Sequence, residues 1–484
     1  MNHYRMIARL TGVLLIYFAG SMALPLAVSV LTYDGMQFGL LFAALLILMA
    51  GLLLRNMLGR DARYEIRGND SIWVALAAWI AIPVAGTLPY LFTGTLGSFT
   101  DAVFESFSGF TTTGSSIVAQ PEALPLSLLV YRAFTQWVGG LGLMLFIVAI
   151  LRKLGIGAWS LVEVEFSGTQ QPKLHPHLWS SVRRLWMIYC FLTLLLVVLL
   201  RLTGTGRIDS LCIAFSTIST GGFVPHSQGL AMLGNGSLIV VALFMLLSGI
   251  NVALLFRLIT FRWRRLWRDE ELRLFLTLFV MVSLCCTLAF HQAGNAWDTS
   301  LRYSLFHVAS TMSTTGFYLP RPAYWSFWVS VVTFLLIVIG ASAGSTGGGI
   351  KLRRVAILVK YIYNYITRMM HPNAVFRVKM DGQVVENNYI NKIFAFVFLY
   401  IASIAIGAFV LTICGCTIPD ATCMAAANIG NLGPSPLINN LGGSLDYSTL
   451  PSLGKWTLTL LMLSGRLEIF AVAAALRCLW QVKS

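Results

Sequence analysis

Phe110-Thr-Thr-Thr-Gly114 is the first of four short Thr- and Gly-rich segments that decide the fold of this chain. The other three are Ser219-Thr-Gly-Gly-Phe223, Ser313-Thr-Thr-Gly-Phe317 and Ala427-Asn-Ile-Gly-Asn431. Each follows an apolar-to-amphipathic stretch too short to cross a bilayer, and each lies between stretches long enough to cross one. The pattern predicts a unit of helix, short re-entrant helix with loop, and helix, repeated four times.

The segments share a register when Gly114, Gly222, Gly316 and Gly430 are aligned. Ser108, Ser216 and Ser310 lie six residues before their glycines, and Asp101 and Asp209 lie thirteen before theirs. One such bend is best explained as an ordinary helix end, but four in register indicate a shared cavity, because non-helical backbone at membrane depth needs protein or water around it. The predicted fold class is an all-α polytopic membrane protein with four loops around a pseudo-fourfold pore.

The composition agrees with a membrane protein. The chain has 484 residues, 57% hydrophobic and 11% charged, and a mean hydropathy of +0.77, which a soluble protein cannot accommodate. The first apolar run is too long for the h-region of a signal peptide, so we expect a retained helix. We predict ten crossings, the eighth of them broken, at 6–31, 37–56, 72–93, 126–151, 183–203, 235–258, 271–291, 325–356, 390–414 and 454–478.

The net charge of +15 is concentrated in four basic groups. They are Arg55, Arg60, Arg63 and Arg67; Arg152, Lys153, Lys173, Arg183 and Arg184; Arg257, Arg262, Arg264, Arg265 and Arg268; and Lys351, Arg353, Arg354, Lys360, Arg368, Arg377 and Lys379. Ten crossings put all four groups on one side, which the positive-inside rule makes cytoplasmic, together with both termini. Nucleic-acid binding, the competing interpretation of basic loops, is disfavoured by the hydrophobicity.

The opposite face carries acidic residues beside the loops, namely Asp101, Glu105, Asp209, Asp298 and Asp420. They would raise the local cation concentration, while Asp101, Asp209 and Asp420 are also expected to cap the short helices. The eight cysteines and seven histidines have no metal-ligand spacing, so the sequence gives no support for metal catalysis.

The chemistry of the four loops favours a cation. Glycine permits the backbone angles that turn carbonyl oxygens toward an axis, and Thr hydroxyls add oxygen ligands. Short helices ending at Thr111, Ser219, Ser313 and Ala427 would direct the negative ends of their dipoles at the cavity. The predicted selectivity filter comprises Thr112, Thr113, Gly114, Thr220, Gly221, Gly222, Thr314, Thr315, Gly316, Asn428, Ile429 and Gly430.

The fourfold plan, these loops and the glycine run at 344–349 resemble the TrkH-type subunit of the bacterial Trk potassium uptake system, in the superfamily with the Ktr and plant HKT transporters. The resemblance covers essentially the whole chain, including an extra N-terminal helix pair that the shorter KtrB-like subunits lack. It implies K⁺ bound at the filter, a homodimer in the lipid of the inner membrane with one pore per protomer, and a cytoplasmic nucleotide-binding regulatory partner, a TrkA-like ring. The expected parts are the extra pair at 1–68 and four pore repeats at 69–155, 156–268, 269–385 and 386–484.

A gate is predicted in the third repeat. Three consecutive glycines at 347–349 break its second helix, since a helix interior loses about 1 kcal/mol per glycine relative to Ala. The run only superficially resembles a phosphate-binding P-loop, because Ile350 separates the glycines from Lys351 and Leu352 follows. The predicted gate is Gly344, Ser345, Thr346, Gly347, Gly348 and Gly349; a merely flexible helix break is the alternative.

Arg466 is assigned to the same gate. A charge within an apolar run costs at least ~2.5 kcal/mol in a membrane and normally faces a cavity, and in the family an Arg at this place projects into the pore below the filter. The alternative is a structural pair with Glu468, but residues two apart on a helix do not face each other. Glu468 is the candidate to meet a polar group of another helix, and Arg132 and Gln136 are expected to support short-helix packing.

Two rival functions are considered. A polytopic membrane enzyme would need a clustered acid, base or nucleophile at a membrane face, and the sequence has none. A Na⁺-preferring transporter of the same architecture is closer, because the fourth loop lacks the Thr-Gly-Phe pattern; plant relatives that prefer Na⁺, however, have Ser at the first filter glycine, where this chain has Gly114. The sequence therefore predicts K⁺ uptake without a cofactor, and does not distinguish a passive channel from H⁺- or Na⁺-coupled symport.

Overall fold

The computed structural model describes residues 2–56, 68–142, 178–259, 266–319, 327–371, 373, 376–433 and 447–469. Within them the chain forms helices and one two-stranded antiparallel hairpin, β1 (Lys379–Met380) and β2 (Gln383–Val384). Six helical stretches are long and apolar enough to cross a membrane: Arg5–Thr32, Gln37–Asn56, Trp73–Phe92, Arg183–Leu202, Glu270–Gln292 and Asn387–Ile413. The predicted all-α polytopic membrane fold is confirmed.

The helices fall into an N-terminal group and four units. The N-terminal group is α1 (Asn2–Ser21), α2 (Ala23–Thr32) and α3 (Gln37–Asn56). The first unit is α4 (Gly68–Ala85), α5 (Leu88–Phe92), α6 (Phe99–Phe110) and α7 (Leu126–Trp137), and the second is α8 (Leu178–Leu202), α9 (Arg207–Ile218), α10 (Asn235–Gly249) and α11 (Val252–Ile259). The third is α12 (Glu270–Gln292), α13 (Trp297–Met312), α14 (Phe327–Ile339) and α15 (Leu352–Met370), and the fourth is α16 (Asn387–Ile413), α17 (Ile418–Ile429) and α18 (Ser452–Arg466).

Within the described residues, the second long helix of every unit is shorter than a bilayer crossing. Helix α7 ends in a π-helical turn at Val138–Gly142, and the predicted continuous crossing at 235–258 is wrong, because the helix breaks at Ile250 and Asn251. The predicted break in the eighth crossing separates α14 from α15. Helix α18 ends at Arg466, and the tenth crossing beyond residue 469, like the fourth beyond residue 142, lies outside the described residues.

The four units close into a ring. The second helix of each unit packs against the short helix of the next: α7 on α9, α10 on α13, and α14 on α17. The last unit returns to the first, because α18 packs against α6. The order around the ring is therefore the order in the sequence, and the loops that follow the four short helices meet at its centre.

The N-terminal helices lie outside this ring and brace its first unit. Helix α1 packs on α3 and α4, and α2 packs on α7. Phe18 of α1 makes an edge-to-face contact, with ring centroids 5.3 Å apart, with Phe110, the last residue of α6. The aromatic contact fixes the end of the first short helix from the side facing away from the ring centre.

The acidic residues expected to cap the short helices lie within the first helical turn instead. In α6, α9 and α17 the capping position lies three residues before Asp101, Asp209 and Asp420 respectively. The capping prediction is therefore wrong. Asp101 instead accepts a hydrogen bond from Lys455 Nζ at 2.7 Å, a contact between the first and last units.

Candidate ion-conducting site

The four loops after the short helices have the same backbone conformation. Their leading residues have left-handed φ angles of 55°, 55°, 58° and 49° at Thr112, Thr220, Thr314 and Asn431. Two positions later, the φ angles are 84°, 83°, 81° and 80° at Gly114, Gly222, Gly316 and Gly433. Left-handed φ is uncommon for residues other than glycine, so its recurrence at equivalent positions defines the register of the loops.

A shared backbone hydrogen bond supports this register. In each loop the middle residue donates its N–H to the carbonyl five residues earlier: Thr113 to Ser108 at 2.9 Å, Gly221 to Ser216 at 2.7 Å, Thr315 to Ser310 at 2.9 Å and Leu432 to Ala427 at 2.9 Å. The structural equivalents of Thr112, Thr113 and Gly114 in the fourth loop are therefore Asn431, Leu432 and Gly433.

The alignment of Gly430 with Gly114 is accordingly shifted by three residues. Asn428 and Ile429 belong to α17, which runs past the predicted end at Ala427, and Gly430 is its C-terminal cap with φ of −76°. The corresponding caps of the other short helices are Thr111, Ser219 and Ser313. One signal could have found the correct register: Asp420 lies thirteen residues before Gly433, the spacing of Asp101 and Asp209 from their glycines.

The loops touch one another in a closed cycle. A Cβ atom added to Gly114 would overlap the carbonyl oxygen of Gly221, and one added to Gly222 would overlap that of Thr315. The same holds for Gly316 and the Leu432 oxygen, and for Gly433 and the Thr113 oxygen. One carbonyl oxygen from each loop thus lies against the glycine of its neighbour, which is the arrangement needed for a ring of oxygen ligands.

Several hydroxyl groups of the loops are occupied by neighbouring protein groups. Thr113 Oγ1 lies 2.8 Å from Thr111 Oγ1 and accepts a hydrogen bond from Asn431 Nδ2 at 2.9 Å. Thr315 Oγ1 lies 2.7 Å from Ser313 Oγ. These hydroxyls tie the loops together, and the backbone carbonyls are the better candidates for ion ligands.

The glycine-rich segment (340–350) lies directly against the loops. Thr314 Oγ1 accepts a hydrogen bond from Gly348 N–H at 2.8 Å, and Thr220 Oγ1 donates to Thr346 Oγ1 at 3.3 Å. A Cβ at Gly348 would overlap the Gly430 carbonyl oxygen, so the segment also touches the base of the fourth loop. The predicted gate residues are therefore close enough to the loops to obstruct a path through their centre.

Arg466 joins this segment to the first loop. Its Nη1 donates to the Thr346 carbonyl at 2.8 Å and to Thr112 Oγ1 at 3.3 Å. Its Nη2 donates to the Gly139 carbonyl at 3.0 Å and to that of Gly140, both in the π-helical turn. The alternative of a structural Arg466–Glu468 pair finds no support in these contacts, because Glu468 accepts hydrogen bonds from Arg354 Nη2 at 2.8 and 2.9 Å.

A chain of polar contacts connects the glycine-rich segment to the hairpin. Glu271 Oε1 accepts the Ala343 N–H at 2.6 Å. Arg353 lies 3.8 Å from Glu271 and 3.2 Å from Asp381, in the turn between β1 and β2. Asp381 also accepts the Glu270 N–H at 2.9 Å. The hairpin, the start of α12 and the segment therefore form one connected network.

At the opposite end of the loops, connections from three units meet. Glu122 accepts hydrogen bonds from the Ser227 N–H at 2.8 Å and from its hydroxyl at 2.6 Å. Tyr318 donates its hydroxyl to the Ser227 carbonyl at 2.8 Å. The hydrogen bond from the Ser227 side chain is the main cause that lowers the pKa of the Glu122 carboxyl below its ordinary value. These contacts join the first three units above the ring.

A buried ion pair supports the first loop from behind. Arg132 Nε lies 2.8 Å from Glu105 Oε1, and both side chains are buried. Glu105 also accepts the Ile117 N–H at 3.1 Å and the Ser116 hydroxyl at 3.0 Å, just beyond the loop. The expectation that Arg132 supports short-helix packing agrees with these contacts.

Comparison with known proteins identifies the family. The family model for TrkH, described as a cation transport protein, matches residues 35–481. The Trk system potassium uptake protein TrkH of Salmonella typhimurium is 32% identical over 477 residues, 97% of this chain and 98% of the relative, and that of Halomonas elongata is 34% identical over 480 residues, 97% of each. The crystal structure of the potassium transporter TrkH from Vibrio parahaemolyticus superposes with a TM-score of 0.85 at 30% identity, covering 98% of both chains. The chain belongs to the TrkH family of cation transport proteins.

Proposed function

We propose that this chain carries K⁺ into the cell across the inner membrane, along a path through the centre of the ring of loops. The observation that carries the proposal is the closed cycle in which one carbonyl oxygen of each loop lies against the glycine of the next. The choice of K⁺ as the transported ion is supported by the relatives named as Trk potassium uptake proteins. Membership of a cation transporter family also excludes the membrane enzyme considered from the sequence.

The proposed filter ligands are the carbonyl oxygens of Thr113, Gly221, Thr315 and Leu432. Carbonyl oxygens can replace the hydration shell of K⁺ when four loops present them to one axis. The proposed filter thus comprises 112–114, 220–222, 314–316 and, in place of 428–430, residues 431–433. The C-terminal ends of α6, α9, α13 and α17 precede these loops, so their dipoles favour a cation there.

The proposed gate is the glycine-rich segment together with Arg466. The contacts of Thr346 and Gly348 with two loops support this proposal, and the Arg466 guanidinium would add a fixed positive charge that repels cations. Opening requires the hydrogen bonds of Arg466 to Thr346 and Thr112 to be exchanged or broken.

The protein is further proposed to act as a homodimer regulated from the cytoplasm, with both termini on that side. We also propose the division of the chain into an N-terminal helix pair at 1–68 and four pore repeats at 69–155, 156–268, 269–385 and 386–484. A cytoplasmic ring of nucleotide-binding subunits would act on the basic end of the glycine-rich segment, where Arg353 connects to the hairpin. On this proposal the nucleotide binds the partner, and the chain holds no cofactor.

Ion uptake into liposomes tests the proposal. Purified chain in proteoliposomes should take up Rb⁺, a tracer for K⁺, in preference to Na⁺, and excess K⁺ should compete with it. Protein-free liposomes give the background. A preference for Na⁺ would instead support the Na⁺-preferring transporter, and uptake of neither ion above background would refute ion conduction.

A further inference from the structure

Gln136 of α7 lies between the first and second loops. Its side chain is fully buried; Nε2 donates a hydrogen bond to the Gly221 carbonyl oxygen at 2.7 Å, and Oε1 accepts the Phe223 N–H at 3.2 Å. Among the described residues, the Gly221 oxygen is the one of the four proposed filter oxygens that accepts a hydrogen bond from a side chain. Gln136 thus holds the second loop by both ends of its amide.

Gly221 and Gln136 fit each other in shape. The positions equivalent to Gly221 in the other loops are Thr113, Thr315 and Leu432, which all have side chains. A Cβ at Gly221 would overlap the amide carbon and oxygen of Gln136, and the φ of Gly221 is not in the left-handed region. Glycine is therefore needed at this position for space rather than for backbone freedom.

A second residue of α7, Arg132, anchors the helix near Gln136. Arg132, one turn earlier, forms the buried ion pair with Glu105, and its guanidinium lies 4.4 Å from the centroid of the Phe223 ring. Helix α7 is therefore connected to the end of the first loop by the pair of its Arg132 with Glu105 of α6, and it contacts the second loop directly through Gln136. A shift of the α7 backbone at Gln136 would therefore also displace the buried ion pair.

We infer that Gln136 is a specificity-determining positioning residue for ion conduction. A carbonyl oxygen has two lone pairs, so the amide can hold the direction of the Gly221 oxygen while leaving one lone pair for an ion. An oxygen held in this way cannot move inward to follow the smaller Na⁺, which makes the second loop the stiffest quarter of the ring. This inference rests on the proposed function, because it assigns a role within the proposed filter.

The first test removes the amide while keeping its volume. Gln136→Met has a similar length but cannot donate the hydrogen bond, and we expect it to lower the ratio of Rb⁺ to Na⁺ uptake about two- to tenfold, the range that one neutral hydrogen bond contributes. Gln136→Glu keeps an acceptor for Phe223 N–H but loses the donor toward Gly221, and should lower the ratio as well. Leu126→Ala, at an exposed position of the same helix, is the matched control and should keep the ratio.

The second test uses the shape complementarity. Gly221→Ala should impair uptake because its Cβ meets the Gln136 amide and the Gln136 Cβ, and Gly221→Ala with Gln136→Gly, which removes both, should recover part of the flux without the selectivity. Wild-type uptake ratios in Gln136→Met and Gln136→Glu, or equal damage by Gly221→Ala with and without Gln136→Gly, would overturn the inference. A wild-type chain that does not prefer Rb⁺ would instead refute the proposed function, so the two failures are distinguishable.

Discussion

Replacing Gly433 with Ala tests the register of the fourth loop against the alternative in which Gly430 is the equivalent of Gly114. Gly433 has a φ of 80°, and an added Cβ would overlap the Thr113 carbonyl oxygen. Gly430 has a φ of −76°, and an added Cβ would lie 3.0 Å from the Ala426 carbonyl oxygen and 3.3 Å from both the Ile337 carbonyl oxygen and the Tyr400 hydroxyl. An Ala substitution is therefore strained at Gly433 but compatible with the backbone conformation at Gly430, three residues earlier.

The free-energy cost of a left-handed φ sets the expected size of the effect of Gly433→Ala on selectivity. A left-handed conformation costs an L-residue about 1–2 kcal/mol, which is a factor of about 5–30 in the population of the native loop. The overlap with the Thr113 oxygen adds to this cost. Gly433→Ala should therefore lower the ratio of Rb⁺ to Na⁺ uptake at least about fivefold. Gly430→Ala needs neighbouring atoms to shift only slightly and favours the end of α17, since Ala exceeds Gly in helix propensity by about 1 kcal/mol; its ratio should stay near that of the wild type.

The assay compares both variants with the wild type in liposomes of equal protein content. Gly114→Ala serves as the positive control, because Gly114 has the same left-handed φ in the first loop. Size-exclusion profiles identify variants that fail to fold. Loss of discrimination in Gly430→Ala together with its retention in Gly433→Ala would show that the loop binds ions in the other register and that the reasoning from backbone angles is wrong.

Three further predictions concern the path below the loops. Arg466→Ala should raise ion flux in liposomes with little change in the Rb⁺/Na⁺ ratio, because it removes a positive charge and the hydrogen bond to Thr346; unchanged flux would leave Arg466 a structural role. Deleting 344–349 should give a leaky pore that no longer responds to the proposed regulatory partner; nucleotide-dependent flux from the purified chain alone would contradict the proposal that the partner binds the nucleotide. Glu468→Ala removes the carboxylate that pairs with the buried Arg354 and should lower the free energy of unfolding by about 3–5 kcal/mol, seen as a thermal midpoint below that of the wild type; an unchanged midpoint would contradict this prediction.

Much of the architecture follows from the sequence. The length and apolar character of the long helices are local properties, and the loops at Gly114, Gly222 and Gly316 are marked by Thr and by the Gly whose left-handed φ the turn requires. These features need no knowledge of distant contacts. They were sufficient to predict the fold class and three of the four loop registers.

The predicted register of the fourth loop was wrong because the local sequence similarity and the backbone geometry disagree there. Asn428-Ile429-Gly430 resembles a filter motif, yet the helix continues through Ile429, and the left-handed residue is Asn431. Asn tolerates this conformation better than most residues, so Thr is not required. A comparison by residue type therefore overlooked it, although the spacing from Asp420 was present.

Contacts between distant parts of the chain were beyond sequence reasoning. The partner of Glu468 is Arg354, 114 residues away, and the amide of Gln136 meets Gly221, 85 residues away. Nothing in the local pattern of either residue encodes its partner, because both contacts are set by how the units pack around the ring.

The ring order has a consequence for how the protein is made. Because α18 packs against α6 and Lys455 bonds to Asp101, a helix of the fourth unit closes the circle begun by the first unit. A nascent chain still lacking α18 leaves one side of the ring open. The surround of the proposed filter is therefore closed only after residues 452–466 have been synthesised, and products truncated before them lack that side.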